Sequence, residues 1–146
     1  MKLRYVVLSL VLLFAPQLSI AQSSEDGVRS AVEDYVEALY QVDPSRIERS
    51  VSKELVKFGY WRPDAGQEYG GSPMTYDQLH RLASGWNRDN RNKIDESTPK
   101  EIVIFDVLDK TAVAKLTAFW GIDYFQLEKI DGKWMIRHIL WQSHPE

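Results

Sequence analysis

Four side chains in this sequence have the type and placement for acid–base chemistry: Tyr35, His80, Asp123 and His138. Tyr35 falls on the apolar side of a helical repeat. Its phenol could orient a ligand or donate a proton, or be a core hydroxyl with a satisfied partner. His80 borders an apolar helical stripe, where a ring titrating near neutrality could act as general base, or be a half-exposed flank residue. Asp123 follows a tight turn and alternates with Phe125 and Leu127. A carboxylate facing inward there would sit among apolar groups and could shuttle a proton; facing outward it would merely end the turn. His138 alternates with Trp134, Ile136 and Leu140, which could bring it into the same interior.

Around these lies an unusual supply of flat side chains: Tyr60, Trp61, Tyr69, Tyr76, Trp86, Trp120 and Trp141. They could stack on a small apolar or aromatic molecule, although many such residues serve only as core. Tyr35, Tyr60, Tyr76, His80, Trp86, Trp120, Asp123 and His138 are therefore the candidate ligand-binding set. Tyr35, His80 and Asp123 are the candidate catalytic set. No transition-metal site is expected, because three scattered His and no Cys give none of the usual ligand spacings. No cofactor is expected either, since no phosphate loop, dinucleotide fingerprint or nucleophile elbow occurs.

These residues must be positioned by two unlike halves. Val28, Ala31, Val32, Tyr35, Val36, Leu39 and Val42 recur at three- and four-residue spacing, so the pattern predicts an amphipathic helix from about Glu25 to Val42. Asp43-Pro44 restarts a short second helix that runs to about Val51. Glu54–Arg62 reads as a strand, and Gly70-Gly71-Ser72-Pro73 as part of a loop. Thr75-x-x-Gln78 is a capping box opening a third helix with Tyr76, Leu79, Leu82, Ala83 and Trp86 along its apolar side. A polar loop follows over residues 87–99. Beyond it the period becomes two: Glu101–Leu108, Thr111–Trp120, Asp123–Ile130 and Lys133–Gln142 read as four successive antiparallel strands. Asp131-Gly132 makes the last turn.

The fold class is α+β, with helices gathered on one face of a sheet. Ile102–Leu108 and Trp134–Trp141 are apolar on both faces, more than one helical layer can cover. A homodimer through the outer sheet face is therefore expected.

The N-terminus has the three parts of a secretory leader. Lys2 and Arg4 are followed by the ten-residue apolar run Tyr5–Phe14, then Pro16, then Ser19-Ile20-Ala21 with small residues at −3 and −1. A membrane-crossing helix needs roughly 17–25 residues, so residues 1–21 are expected to be cleaved near Ala21-Gln22 and to leave no stable membrane anchor. A lipid-linked terminus is excluded by the absence of Cys. The expected destination is the periplasm or the medium, and residues 22–146 form a single domain. The leader carries two of the 18 basic residues and none of the 21 acidic ones. What remains is more acidic than the whole chain's −3, which argues against nucleic acid as a partner.

Two stretches carry a resemblance. Residues 28–40 (VRSAVEDYVEALY) with 43–47 (DPSRI), and residues 110–116, 123–129 and 130–136 (IDGKWMI), resemble the nuclear transport factor 2-like (SnoaL-like) superfamily, in particular its putative lumazine-binding family of bacterial proteins. The likeness spans about Gly27 to Trp141. It implies a cone-shaped half-barrel, three N-terminal helices packed on a curved, mostly antiparallel sheet, commonly dimeric through the outer face. Isomerases of the superfamily use a Tyr and two acids, and dehydratases use paired His with acids and Tyr; neither set maps residue by residue here. The resulting expectation is an exported small-molecule-binding domain with an aromatic-lined pocket. The alternatives are a cofactor-free acid–base enzyme (isomerase, dehydratase or hydrolase-like) and a non-catalytic association module.

Overall fold

The computed structural model describes residues 15–64 and 66–145, with side chains from Ser24 onward. Residues 1–14, and with them most of the expected leader, lie outside the described residues. Helix α1 (Ala15–Tyr40) begins well before Glu25. Pro16 lies within it. Among the described residues no helix is long and apolar enough to cross a membrane.

The inner face of α1 is the one its spacing predicted: Val28, Val32, Tyr35, Val36 and Leu39 are all buried. The helix ends in a Schellman-type closure, the Asp43 N–H donating to Ala38 O at 3.0 Å. Its left-handed position is Val42, with φ 58°, a conformation that a β-branched side chain resists. Replacing Val42 by Gly removes that strain, which outweighs the entropy glycine adds to the unfolded chain. Val42→Gly is expected to raise stability by about 1 kcal/mol, as measured by urea denaturation.

Helix α2 (Ser45–Ser50) follows, opened by Asp43, whose carboxylate accepts from the Ser45 N–H at 3.1 Å. Strand β1 (Val51–Trp61) leads to β2 (Gly70–Met74) and then α3 (Tyr76–Ala83). The capping box opening α3 is formed in full by Thr75 and Gln78. The expected loop at Gly70–Pro73 is thus an edge strand, and Pro73 is tolerated because an outermost strand can leave its missing N–H toward solvent. After a 3-10 turn at Arg88–Asn90 come β3 (Lys100–Val107), β4 (Thr111–Ala118), β5 (Gly121–Ile130) and β6 (Lys133–Gln142). The Asp131-Gly132 turn has φ of 48° and 82° at its two residues, as a tight hairpin requires.

All six strands form one sheet in the order β2-β1-β6-β5-β4-β3. The expected cone-shaped half-barrel is not what forms. The sheet is open and not strongly curled, with β2 and β3 as separate edges. It is also mixed, because β1 runs parallel to β6. That pairing joins segments about eighty residues apart in sequence and places the first strand beside the last. Helix α1 crosses β3, β4 and β6, while α3 lies on β1. The core between the layers is made by α1 and by Leu116, Phe125, Leu127 and Ile136 from the sheet.

One irregularity reorganises β6. Leu127 pairs with Ile136, but Gln126 pairs with His138, so Arg137 is an extra residue. Trp134 and Ile136 face inward before this bulge, and Ile139 and Trp141 after it. His138 and Leu140 are turned outward, because an added residue exchanges the two faces.

Candidate functional site

Under α1, the inner sheet face presents a small apolar cavity of about 210 Å³. Leu39, Met74 and Leu82 supply aliphatic wall, and Trp86, Trp120 and Trp141 supply indoles. Tyr35 and Lys57 complete the lining and bring in polar groups. Each is placed by simple geometry. Tyr35 lies on the buried stripe of α1. Lys57 and Gly59 alternate with Leu55 on the inner side of β1. Trp141 is the register partner both of Gly59 on β1 and of Asp123 on β5. Gly59 is required there: a Cβ on it would fall 1.8 Å from Trp141 Nε1.

Behind the cavity wall the polar groups form a closed cluster. Lys57 Nζ donates to Tyr35 Oη at 2.9 Å and to Asp123 Oδ1 at 3.4 Å. Tyr35 Oη donates to Asp123 Oδ1 at 3.2 Å, and Trp120 Nε1 donates to Asp123 Oδ2 at 2.6 Å. The Lys57 and Asp123 side chains are 4% and 0% exposed. This is a buried ion pair, with desolvation offset by attraction and by hydrogen bonds to both carboxylate oxygens. Burial, reinforced by the Asp123 charge and hydrogen bond, holds the Tyr35 phenol well above its ordinary pKa of 10. Burial also lowers the Lys57 ammonium from its ordinary value, and Asp123 only partly opposes that. Two of the three Lys57 N–H donors are used, leaving one for a molecule in the cavity.

A second aromatic layer braces the wall. Trp86 stacks on Tyr40 at 6.1 Å and meets Trp120 edge-on at 5.3 Å. Tyr40 Oη is fixed in turn, donating to Pro99 O at 2.5 Å and accepting from the Phe119 N–H at 2.8 Å. The 87–99 loop is anchored beside it through Asn87, which is buried and donates to Tyr40 O at 2.8 Å.

The family model described as putative lumazine-binding matches residues 23–142. The chain belongs to that family. Solved structures similar to it include nuclear transport factor 2-like proteins of unknown function. One from Methylobacillus flagellatus is 23% identical with a TM-score of 0.61, covering 84% of this chain and 94% of its own. One from Silicibacter pomeroyi is 16% identical with a TM-score of 0.59, covering 87% and 98%. One from Shewanella baltica is 19% identical with a TM-score of 0.58, covering 86% and 97%. At these identities the likeness shows the fold alone, the nuclear transport factor 2-like arrangement. No curated protein matches the sequence.

In this putative lumazine-binding family member, the structure brings together Tyr35, Trp86, Trp120 and Asp123 and separates the other candidates from them. His80 lies on the flank of α3 with Nε2 2.9 Å from Glu48 Oε1. Tyr76 is buried at the start of α3 and stacks on His80 rather than lining the cavity. Tyr60 is half exposed beside Phe58 on the outer side of β1. His138 is outside too, with Nδ1 2.7 Å from Gln126 Oε1, because the Arg137 bulge reverses the face that alternation assigned it. Lys57 is the functional candidate that sequence reasoning missed. Its signal was a single charge inside the otherwise apolar run Leu55–Trp61. Among the described residues no group of three or more His, Cys, Asp or Glu could hold a metal ion.

Proposed function

We propose that this chain is an exported domain that binds one small apolar or aromatic molecule in the cavity beneath α1. The observation that carries the reading is the cavity itself: three indoles and aliphatic walls around a single polar corner formed by Lys57 and Tyr35. An apolar space of about 150 Å³ is enough to take up benzene, so 210 Å³ suits a substituted single ring. Lumazine, despite the family's label, suits it poorly. A pteridinedione carries polar atoms on several edges, and most would be buried here without partners. The Lys57–Asp123 pair is neutral overall, which favours an uncharged ligand with one hydrogen-bond acceptor over an anion.

Native mass spectrometry of the purified protein, supplemented by quenching of tryptophan fluorescence, tests this. A small co-purifying molecule, or saturable quenching by benzyl alcohol, is the expected result. The absence of both signals would sink the reading. An acid–base enzyme of the same fold is the second reading, favoured by the burial of Tyr35, Lys57 and Asp123 as one connected cluster.

Export rests on the N-terminal pattern, and periplasmic or secreted protein should begin near Gln22. The working form we propose is a homodimer through the outer sheet face. Val56, Phe105, Leu140 and Tyr124 are 59%, 57%, 52% and 48% exposed, and Leu140 and Tyr124 lie side by side as register partners; exposed apolar area of this kind marks interfaces. Leu140→Lys is expected to give monomers in the same subunit count, with the cavity's ligand binding unchanged; a dimer that survives would place the interface elsewhere.

A further inference from the structure

We propose that Lys57 is a reactive amine that condenses reversibly with small aldehydes or ketones entering the cavity. The inference rests on the cavity reading above and adds a covalent step to it.

Lys57 is the one lysine that is buried among the described residues. It also lines the apolar cavity, so its Nζ stands at the boundary between that space and the polar cluster. An ammonium cannot attack a carbonyl, and a lysine becomes a nucleophile when desolvation favours its neutral form and a base stands by to take the proton. Both conditions are met. The burial that lowers the Lys57 pKa acts beside Asp123 Oδ1, 3.4 Å from Nζ. Tyr35 Oη touches both groups, at 2.9 Å and 3.2 Å, and gives a second route for the proton. The indole of Trp141 lies on another side, with Nζ 5.5 Å from its ring centre.

The step balances without any added reactant. The ammonium passes a proton to the Asp123 carboxylate, and the free amine forms a bond from Nζ to the carbonyl carbon. A second N–H proton moves to the carbonyl oxygen to give the neutral carbinolamine, whose hydroxyl takes the first proton back from Asp123 and leaves as water. Lysine ammonium and carbonyl thus become protonated imine and water, with the Asp123 carboxylate restored. The substrate class is a neutral aromatic or short aliphatic carbonyl compound, which matches both the walls and the charge balance of the site.

The test uses the purified full-length protein with benzaldehyde and sodium cyanoborohydride, which reduces an imine to a stable benzyl amine, followed by peptide mass spectrometry. The expected result is benzylation of Lys57 faster than of any exposed lysine, on the order of tenfold or more, because the cavity holds the carbonyl against the amine. Labelling of Lys57 at or below the level of the exposed lysines overturns the proposal. Asp123→Asn keeps the amine and removes the proton acceptor, so it should slow labelling of Lys57 by a similar factor while exposed lysines are unaffected. An unchanged rate would overturn the role given to Asp123. The wild-type comparison is decisive even if that variant folds poorly. Benzyl alcohol separates the two readings. If it quenches the tryptophans and benzaldehyde still gives no Lys57 adduct, the amine chemistry fails and the binding site stands. If neither compound binds, both fail.

Discussion

Asp123→Ala should destabilise the protein by about 3–5 kcal/mol in urea denaturation, the cost of breaking a buried ion pair from one side. The size follows from what is left behind. Lys57 would remain 4% exposed with its countercharge gone, and among the described residues its only other acceptor is the Tyr35 hydroxyl. Tyr35 would lose its acceptor, and so would the Trp120 indole N–H. Each unpaired buried group costs about 1–3 kcal/mol, more when charged. A second variant distinguishes lost charge balance from lost packing. Lys57→Met on the Asp123→Leu background removes both charges and replaces them with apolar volume, which is often neutral or better for a buried pair. The double variant should therefore be more stable than Asp123→Ala, short of wild type because Tyr35 and Trp120 still lack an acceptor. A double variant less stable than Asp123→Ala would show that the cluster is held by packing instead of charge pairing.

Gly121→Ala should be comparably damaging, at about 3 kcal/mol or more, although it adds only a methyl group. Gly121 has φ 145° at the turn from β4 to β5, a region that is nearly closed to residues with a Cβ and costs about 1–3 kcal/mol. The new carbon would also fall 2.0 Å from Gln142 O and 2.8 Å from Ser143 Cα. Both are backbone atoms of the chain leaving β6, so neither can swing aside as a side chain would. Gly132 is the internal control. It too has positive φ, 82°, but nothing lies within 4 Å of its missing Cβ. Gly132→Ala should therefore cost only the conformational share, about 1–2 kcal/mol. Equal losses at the two positions in parallel denaturation curves would refute the clash at Gly121. Displacement at Gly121 would also move Trp120 in the turn before it and Asp123 in β5, which flank the cavity, so ligand binding should fall with stability.

Much of this molecule was legible in the order of its residues, because local rules have local causes. The α1 stripe from Val28 to Leu39, the Thr75–Gln78 capping box, the three helices and the period-two strands of the second half need only neighbours a few residues away. The Asp131-Gly132 turn is equally local, since Gly accepts a positive φ at little cost. Tyr35 was legible on the inward stripe of α1 for the same reason, whereas the strand pattern left Asp123 open between an inward carboxylate and one that ends the turn.

Five features were decided only by tertiary structure. The parallel pairing of β1 with β6 and the use of Gly70–Met74 as an edge strand depend on which segments meet across the sheet. Hydropathy does not encode that choice when several strands are apolar on both faces. The sheet stayed open where a cone was expected, a property of how all six strands twist together. The bulge at Arg137 turned His138 outward, since one inserted residue reverses every later side chain while leaving the sequence pattern looking regular. Last, Lys57 on one side of the sequence and Asp123 on the other became partners at 3.4 Å. A charge in an apolar strand reads as a surface residue until the fold supplies the countercharge that allows it to be buried.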